Sequence, residues 1–354
     1  MTGRPTAMPA RMLTLRLPAG RLSLRVAPRA ALCCAGLGGG CLLLALAALT
    51  IGTMPITLAE AARALRGNAG ADLHLVVVEW RAPRIAGALL VGAALGMAGA
   101  LFQTLLRNPL GSPDVVGFDA GSFSGALMAM LAGGGPVAVA GSGFAGGLLA
   151  GALVFGLSGS AGGSRARLIL TGIAVGAFFT ALNDWIVMSA RLDTALAAAS
   201  WRLGSLAGIT ADRLALAAVL LAALLPLGLS CGRTMRALEL GDDRAASLGI
   251  GLAAARLRLA LVGLGLTAVA TLVAGPIGFV ALIAPQAARR LAGGASLPLL
   301  ASALFGAFFL LGSDVAGRLA FAPLQLPAGA LTAGIGGLYF VALLWSRRSG
   351  GRVA

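Results

Sequence analysis

The sequence predicts an all-α, polytopic membrane protein with about ten transmembrane helices. Three observations predict it: 58% of the 354 residues are hydrophobic, only 11% are charged, and the mean hydropathy is +0.94. A water-soluble domain carries about 25% charged residues because its surface must be polar, so most of this chain's surface suits lipid. The 53 glycines add a packing argument. Small residues let membrane helices approach closely, and G-x-x-x-G occurs at Gly92/Gly96, Gly121/Gly125, Gly147/Gly151 and Gly172/Gly176.

A helix needs about 20 apolar residues to cross the hydrocarbon. Such runs lie near 31–52, 85–106, 115–133, 136–157, 167–190, 214–231, 257–275, 277–292, 297–320 and 327–345. The eighth is short, and it joins the seventh at Gly275-Pro276. Arg11, Arg16, Arg21, Arg25 and Arg29 precede the first run, as they would in a signal peptide. Its apolar stretch is longer than a signal's and no clear cleavage site follows, so it reads as an uncleaved helix. One membrane domain then fills 31–346, between a basic N-terminal tail, 1–30, and a short C-terminal tail, 347–354.

An even number of spans puts both termini on one side. That side collects the tail arginines, Arg107, Arg165, Arg167, the run from Arg233 to Arg258, Arg289, Arg290 and the C-terminal arginines. Arg63, Arg66, Arg81, Arg84, Arg191, Arg202, Arg213 and Arg318 fall on the other. Positive charge collects inside, so both ends are expected in the cytoplasm of a cell whose inner membrane the chain crosses.

Composition also excludes functions. The net charge of +15 could suit nucleic acid, but the arginines are scattered between apolar spans rather than gathered on one face. No lysine occurs, so a G-x-x-x-x-G-K-[ST] nucleotide loop is ruled out. Cys33, Cys34, Cys41 and Cys231 form no C-x-x-C, and His74 is the single histidine, so no metal site or cofactor is expected. An intramembrane enzyme lacks a constellation: there is no H-E-x-x-H and no close carboxylate pair within the membrane.

The segment 232–256 is too polar to cross and reads as helix, break, helix. Arg236–Leu240 forms a short turn, Gly241 breaks it, and Asp242 is expected to cap the next helix, with Asp243 beside it favouring a helix start. Ala245, Ala246 and Leu248 would share a small apolar face ended by Gly249. Such a pair on a membrane surface can dock into a partner's groove, or it can be an ordinary connector. Asn108-Pro109 cannot continue a helix smoothly, and breaks at membrane depth survive only where packed in protein or lining a cavity. Gly275-Pro276-Ile277-Gly278 is a second break, a hinge or a turn. Asp184 and Asp314 sit in or near apolar spans, as a proton relay or as partners of nearby arginines; Arg318 stands one turn after Asp314.

At Leu238-Glu239-Leu240-Gly241-Asp242-Asp243-Arg244-Ala245-Ala246-Ser247-Leu248-Gly249 the chain resembles the coupling segment of the iron-siderophore, haem and vitamin B12 importer permeases, the FecCD-type family. Arg81-Ala82-Pro83-Arg84 resembles that family's R-x-P-R, and Arg107-Asn108-Pro109-Leu110-Gly111-Ser112-Pro113 its R-N-P-L-x-x-P loop. Gly275-Pro276-Ile277-Gly278-Phe279 to Pro285 resembles its G-P-I-x-F run, and Gln325-Leu326-Pro327-Ala328-Gly329 the start of its last helix. The motifs stand in the family's order over residues 80–346. Gly111-Ser112-Pro113-Asp114-Val115-Val116-Gly117-Phe118 and Leu238–Asp243 look most like the ferric-enterobactin permeases.

The resemblance implies a vitamin-B12-importer-like (type II ABC importer) fold and a transport subunit, not an enzyme, with ATP hydrolysis on a partner chain. It implies ABC ATPase subunits gripping Arg236, Glu239, Gly241, Asp242, Asp243, Arg244, Ala245, Leu248 and Gly249. It implies a gate and pathway at Asn108, Pro109, Leu110, Gly275, Pro276 and Gly278. A second permease subunit would complete the channel, more in the manner of a heterodimer than a homodimer. A periplasmic or lipid-anchored siderophore-binding protein would dock on Arg63, Arg66 and Arg202, which could instead be interfacial anchors. Haem or cobalamin is the alternative cargo, and a proton-coupled transporter the alternative class. One departure stands out: relatives commonly have P-H-x-A-R where this chain has Pro285-Gln286-Ala287-Ala288-Arg289, so a role needing an ionised imidazole is lost.

Overall fold

The structure, a computed structural model, describes residues 13–16, 23–26, 28–52, 54–159, 165–294, 298–320 and 325–349. Most of the N-terminal tail and the end of the C-terminal tail lie outside the described residues. Within the tail, β1 (Leu13–Arg16) and β2 (Ser23–Val26) pair as an antiparallel ladder. Every regular element described after it is a helix.

Seven described helices are long and apolar enough to cross a membrane. They are α1 (Pro28–Thr50), the continuous run Ala71–Leu106, α6 (Pro136–Leu157), α7 (Arg165–Ser189), α9 (Ala211–Ser230, running on into the next helix), α12 (Leu252–Ala274) and α14 (Leu299–Leu319). Three more fall where the remaining spans were expected: α5 (Phe118–Leu131), α13 (Val280–Ala292) and α15 (Ala328–Ser349). At 1.5 Å per residue α5 and α13 are roughly 20 Å long, short of the ~30 Å of hydrocarbon. α5 follows a 3-10 turn, Pro113–Val116, and α13 follows non-helical chain, 275–279.

The segment 54–84 is largely helical despite its polarity. Thr57 opens α2 (Leu58–Leu65) with a capping box: its hydroxyl accepts from the Glu60 N–H while the Glu60 carboxylate accepts from the Thr57 N–H. Those hydrogen bonds, the backbone one foremost, hold the Glu60 carboxyl below its usual value. Then α3 (Ala71–His74), a π-helical stretch Leu75–Arg81 and α4 (Ala82–Leu106) form one rod of 36 residues. Pro83 lacks an N–H, and the wide turn ahead of it lets Ala82 N–H reach back to Val77 O.

The core runs along α4, α12 and α14, and its glycines are where backbones touch. A Cβ on Gly92 would meet the Gly306 carbonyl, on Gly96 that of Ser302, and on Gly99 that of Ala281. A second glycine seam joins α5 to α6, where Gly125 faces Ser142 O and Gly121 faces Gly146. Where α4 ends, Phe102, Leu105 and Leu106 pack on Phe118, Val154 and Leu264, tying α5, α6 and α12 together. The four cysteines are free thiols, Cys41 and Cys231 buried.

Candidate functional site

Two clusters stand out among the described residues. At the first, α4 ends at Leu106 and the chain turns through Arg107–Ser112. Asn108 makes the turn itself, its Oδ1 accepting from the Leu110 N–H at 2.9 Å, and Leu110 is 37% exposed. Gln286 on α13 holds the turn from the side: its Nε2 donates to Gln103 Oε1 at 2.6 Å and to Pro109 O at 3.3 Å. Gln103 in turn donates to Leu282 O at 3.0 Å. A neutral amide makes these bonds at any pH, so the position that departs from the family pattern still fastens α13 to the turn.

Against this turn lies the segment 232–256, as α10 (Gly232–Glu239) and α11 (Asp242–Ser247). Gly241 breaks the two helices at φ +113°, a value glycine supplies without steric cost, and Gly249 ends the second at φ +79°. Two expectations need correction. Gly241, not Asp242, holds the cap position, and Asp242 is the first residue of α11 with its carboxylate engaged elsewhere: Arg107 donates to one oxygen at 2.8 Å and Arg256 to the other at 2.9 Å. The small apolar face is divided too, because Ala245 is fully buried beside Met235 and Leu238 while Ala246 is exposed and Leu248 is 64% exposed. The coupling set therefore splits. Arg236, Glu239, Asp243, Arg244, Leu248 and Gly249 are exposed, whereas Asp242 and Ala245 face the bundle.

The second cluster is a cavity of about 630 Å³ that runs along α5 and α7. Two helix junctions line it, Asp114 and Gly117 ahead of α5 and Pro276 and Gly278 ahead of α13, whereas Asn108, Pro109 and Leu110 are not among its lining residues. Gly275, at φ +71°, ends α12, and Phe279 takes a left-handed φ of +67° to start α13. Thr180, Asn183, Asp184 and Asp119 supply most of the polar lining. Asn183 is nearly buried and ties α7 to α5, its Oδ1 accepting from Ser124 at 2.7 Å and its Nδ2 donating to Ala120 O at 2.9 Å. None of Gln103, Arg107, Arg256, Asp114 or Asp119 was singled out from sequence as a site residue. Gln103 alone left a signal, a polar side chain within an apolar span.

At the mouth, α8 (Leu192–Arg202) places Arg202 over the Phe123 ring at 5.5 Å and 3.8 Å from Asp184. Arg63 and Arg66 are exposed on α2, away from this mouth in sequence and in element. The R-x-P-R arginines turn inward. Arg81 is 7% exposed and donates to Leu49 O and Met54 O, while Arg84 grips Asp314 at 2.9 Å and Gln325 at 2.9 Å. Asp314 is fully buried between Arg84 and Arg318, and Asp184 is 60% exposed beside Arg202. Both carboxylates thus have arginine partners, which weakens the relay reading of either. Among the described residues no group of histidine, cysteine, aspartate and glutamate is arranged to hold a metal ion.

Comparison with known proteins agrees with this architecture. A family model described as the FecCD transport family matches residues 40–346. The chain is 43% identical to the ferric enterobactin transport system permease protein FepG of Escherichia coli over 90% of this chain and 97% of that protein. It is 38% identical to the Fe(3+) dicitrate transport system permease protein FecD of Escherichia coli, over 78% of this chain and 87% of that one. A solved structure described as an inward-facing conformation of a metal-chelate type ABC transporter superposes with a TM-score of 0.79 at 28% identity, covering 88% of this chain and 98% of that chain.

Proposed function

The chain belongs to the FecCD transport family, and we propose that it is one half of the channel of an ATP-driven importer for an iron-siderophore complex of the ferric-enterobactin kind. The observation that carries the proposal is the two-sided segment α10–α11. One side is exposed and charged, fit for a motor to grip; the other is clasped to the turn that follows α4. This chain holds no nucleotide loop, so the ATPase is a separate subunit. Its closure pushes α10 and α11, and the push reaches Asn108–Leu110, the cytoplasmic mouth.

Both termini then lie in the cytoplasm of the inner membrane, and the Arg202 end of the cavity faces outward. The cavity is open along α5 and α7, and a second, sibling permease subunit closes it into a pathway. Hinging at Gly275–Gly278 lets α13 tilt against that cavity. The siderophore-binding protein meets Arg63 and Arg66, exposed on α2, with Arg202 at the cavity mouth. The cargo is an iron chelate, read mainly by that binding protein, while this chain offers hydrogen-bonding groups at Thr180 and Asp184 along the way.

The double substitution Arg244→Glu with Leu248→Asp alters exposed side chains only, so the bundle should still form. It should abolish copurification of the ATPase and ATP-driven uptake together. A variant that retains its full complement of ATPase and normal uptake would show that this face is not the docking surface.

A further inference from the structure

We propose that Arg107 is a positioning residue for transport, the strut through which movement of α10 and α11 reaches the Asn108–Leu110 turn. The inference rests on the importer reading above and names the group that transmits the push.

Arg107 follows the last residue of α4 in the left-handed region, at φ +47° and ψ +37°. That position favours glycine, and a long side chain stands there against a steric preference. Its reach is what the position uses. The Nη2 donates to Leu238 O at 2.9 Å, on one side of the Gly241 break, and to Asp242 Oδ1 at 2.8 Å, on the other. One guanidinium therefore grips both helices of the pair across their hinge. Asp242 closes the assembly by accepting from Arg256 Nη2 with its other oxygen, which brings in the first turns of α12. The end of α4, the pair α10–α11 and the start of α12 thus meet on one carboxylate.

The backbone of Arg107 leads directly into Asn108, whose side chain makes the turn. A shift of Asp242 or of the Leu238 carbonyl thus pulls, through the Arg107 side chain, on the residue adjoining the mouth. The side chains of Arg107 and Asp242 are about one-third exposed, and ion pairs so placed contribute little to stability. Their arrangement suits transmission better than it suits holding the fold together. A lysine would keep the charge, but a freely rotating ammonium on a shorter stem would replace the planar Nη2 whose two N–H bonds are aimed at the two acceptors.

The test measures siderophore uptake and ATP hydrolysis together, in vesicles carrying this chain with its second permease subunit and ATPase, supplied with the binding protein. Arg107→Gln should lower uptake per ATP hydrolysed by about tenfold, and Arg107→Lys by about threefold. Asp242→Asn should match Arg107→Gln, and the double variant should fall no further than either single, because the two residues act as one link. Unchanged uptake per ATP in Arg107→Gln, or losses that multiply in the double variant, would overturn the inference. Should Arg107→Gln fail to assemble with the ATPase, the ratio in Arg107→Lys decides in the same way. An unsubstituted complex without ATP-driven uptake overturns the importer reading and the inference together. An unsubstituted complex that couples normally beside an unaffected Arg107→Gln overturns the inference alone.

Discussion

The rod Ala71–Leu106 and helix α7 are both apolar and both long enough to span, yet 78% of the most apolar stretch of the first is buried and only 11% of that of the second. Hydropathy does not separate them well; small residues and their partners do. The rod presents Gly92, Gly96 and Gly99 to the backbones of α14 and α13, so the chains meet without side chains between them. In lipid, that close packing replaces the hydrophobic force that drives helices together in water. Helix α7 touches a neighbouring backbone chiefly where Gly176 meets Gly117, and it turns Ile173, Phe178, Trp185 and Met188 outward. A face of that kind, bordering an open cavity, awaits lipid or a second subunit.

Substitutions can break this contrast. The largest effect is expected at the end of the seam, where Asp314→Asn would leave Arg84 and Arg318 buried without their carboxylate. Breaking a buried pair costs about 3–5 kcal/mol, which should appear as a marked fall in thermal unfolding temperature in detergent. Stability equal to the parent would mean that the ion pairs do not close the seam. Gly96→Val should follow, at about 1–3 kcal/mol of overpacking, because a Cβ there runs into the Ser302 carbonyl; the same melt reads it. Smallest is the pair Trp185→Ala and Met188→Ala on α7. Each should change the stability of the isolated chain by less than about 0.5 kcal/mol while reducing recovery of the second permease subunit on copurification. Losses on α7 as large as those at the seam, in the isolated chain, would erase the distinction.

Much of this fold was legible because its signals are local. Pro136 at a helix start and an apolar run to Leu157 predict α6 to the residue. The break at Gly241 followed from glycine and the acidic pair after it. The wide turn at Leu75–Arg81 carries no local signal of its own, because it depends on where Pro83 falls within a long helix. What the sequence could not reveal is pairing at a distance. Arg84 finds Asp314 across 230 positions, Gln286 finds Gln103 across 183, and Arg107 finds Asp242 across 135. Motif resemblance marked Asp242 as a residue the motor grips; only the fold shows its carboxylate turned inward to two arginines. Arg202, a candidate for docking by its position outside the spans, is likewise already engaged with Asp184 and Phe123.

On the proposed function, this polypeptide supplies a path and a lever while another chain supplies the energy. Accumulation of a ferric siderophore in sealed vesicles tests it most directly, with this chain alone compared with the chain joined by its second permease subunit, ATPase and binding protein. Concentration against the gradient should occur only in the full assembly and only with ATP. Uphill accumulation by the chain on its own, with or without a proton gradient, would contradict the account.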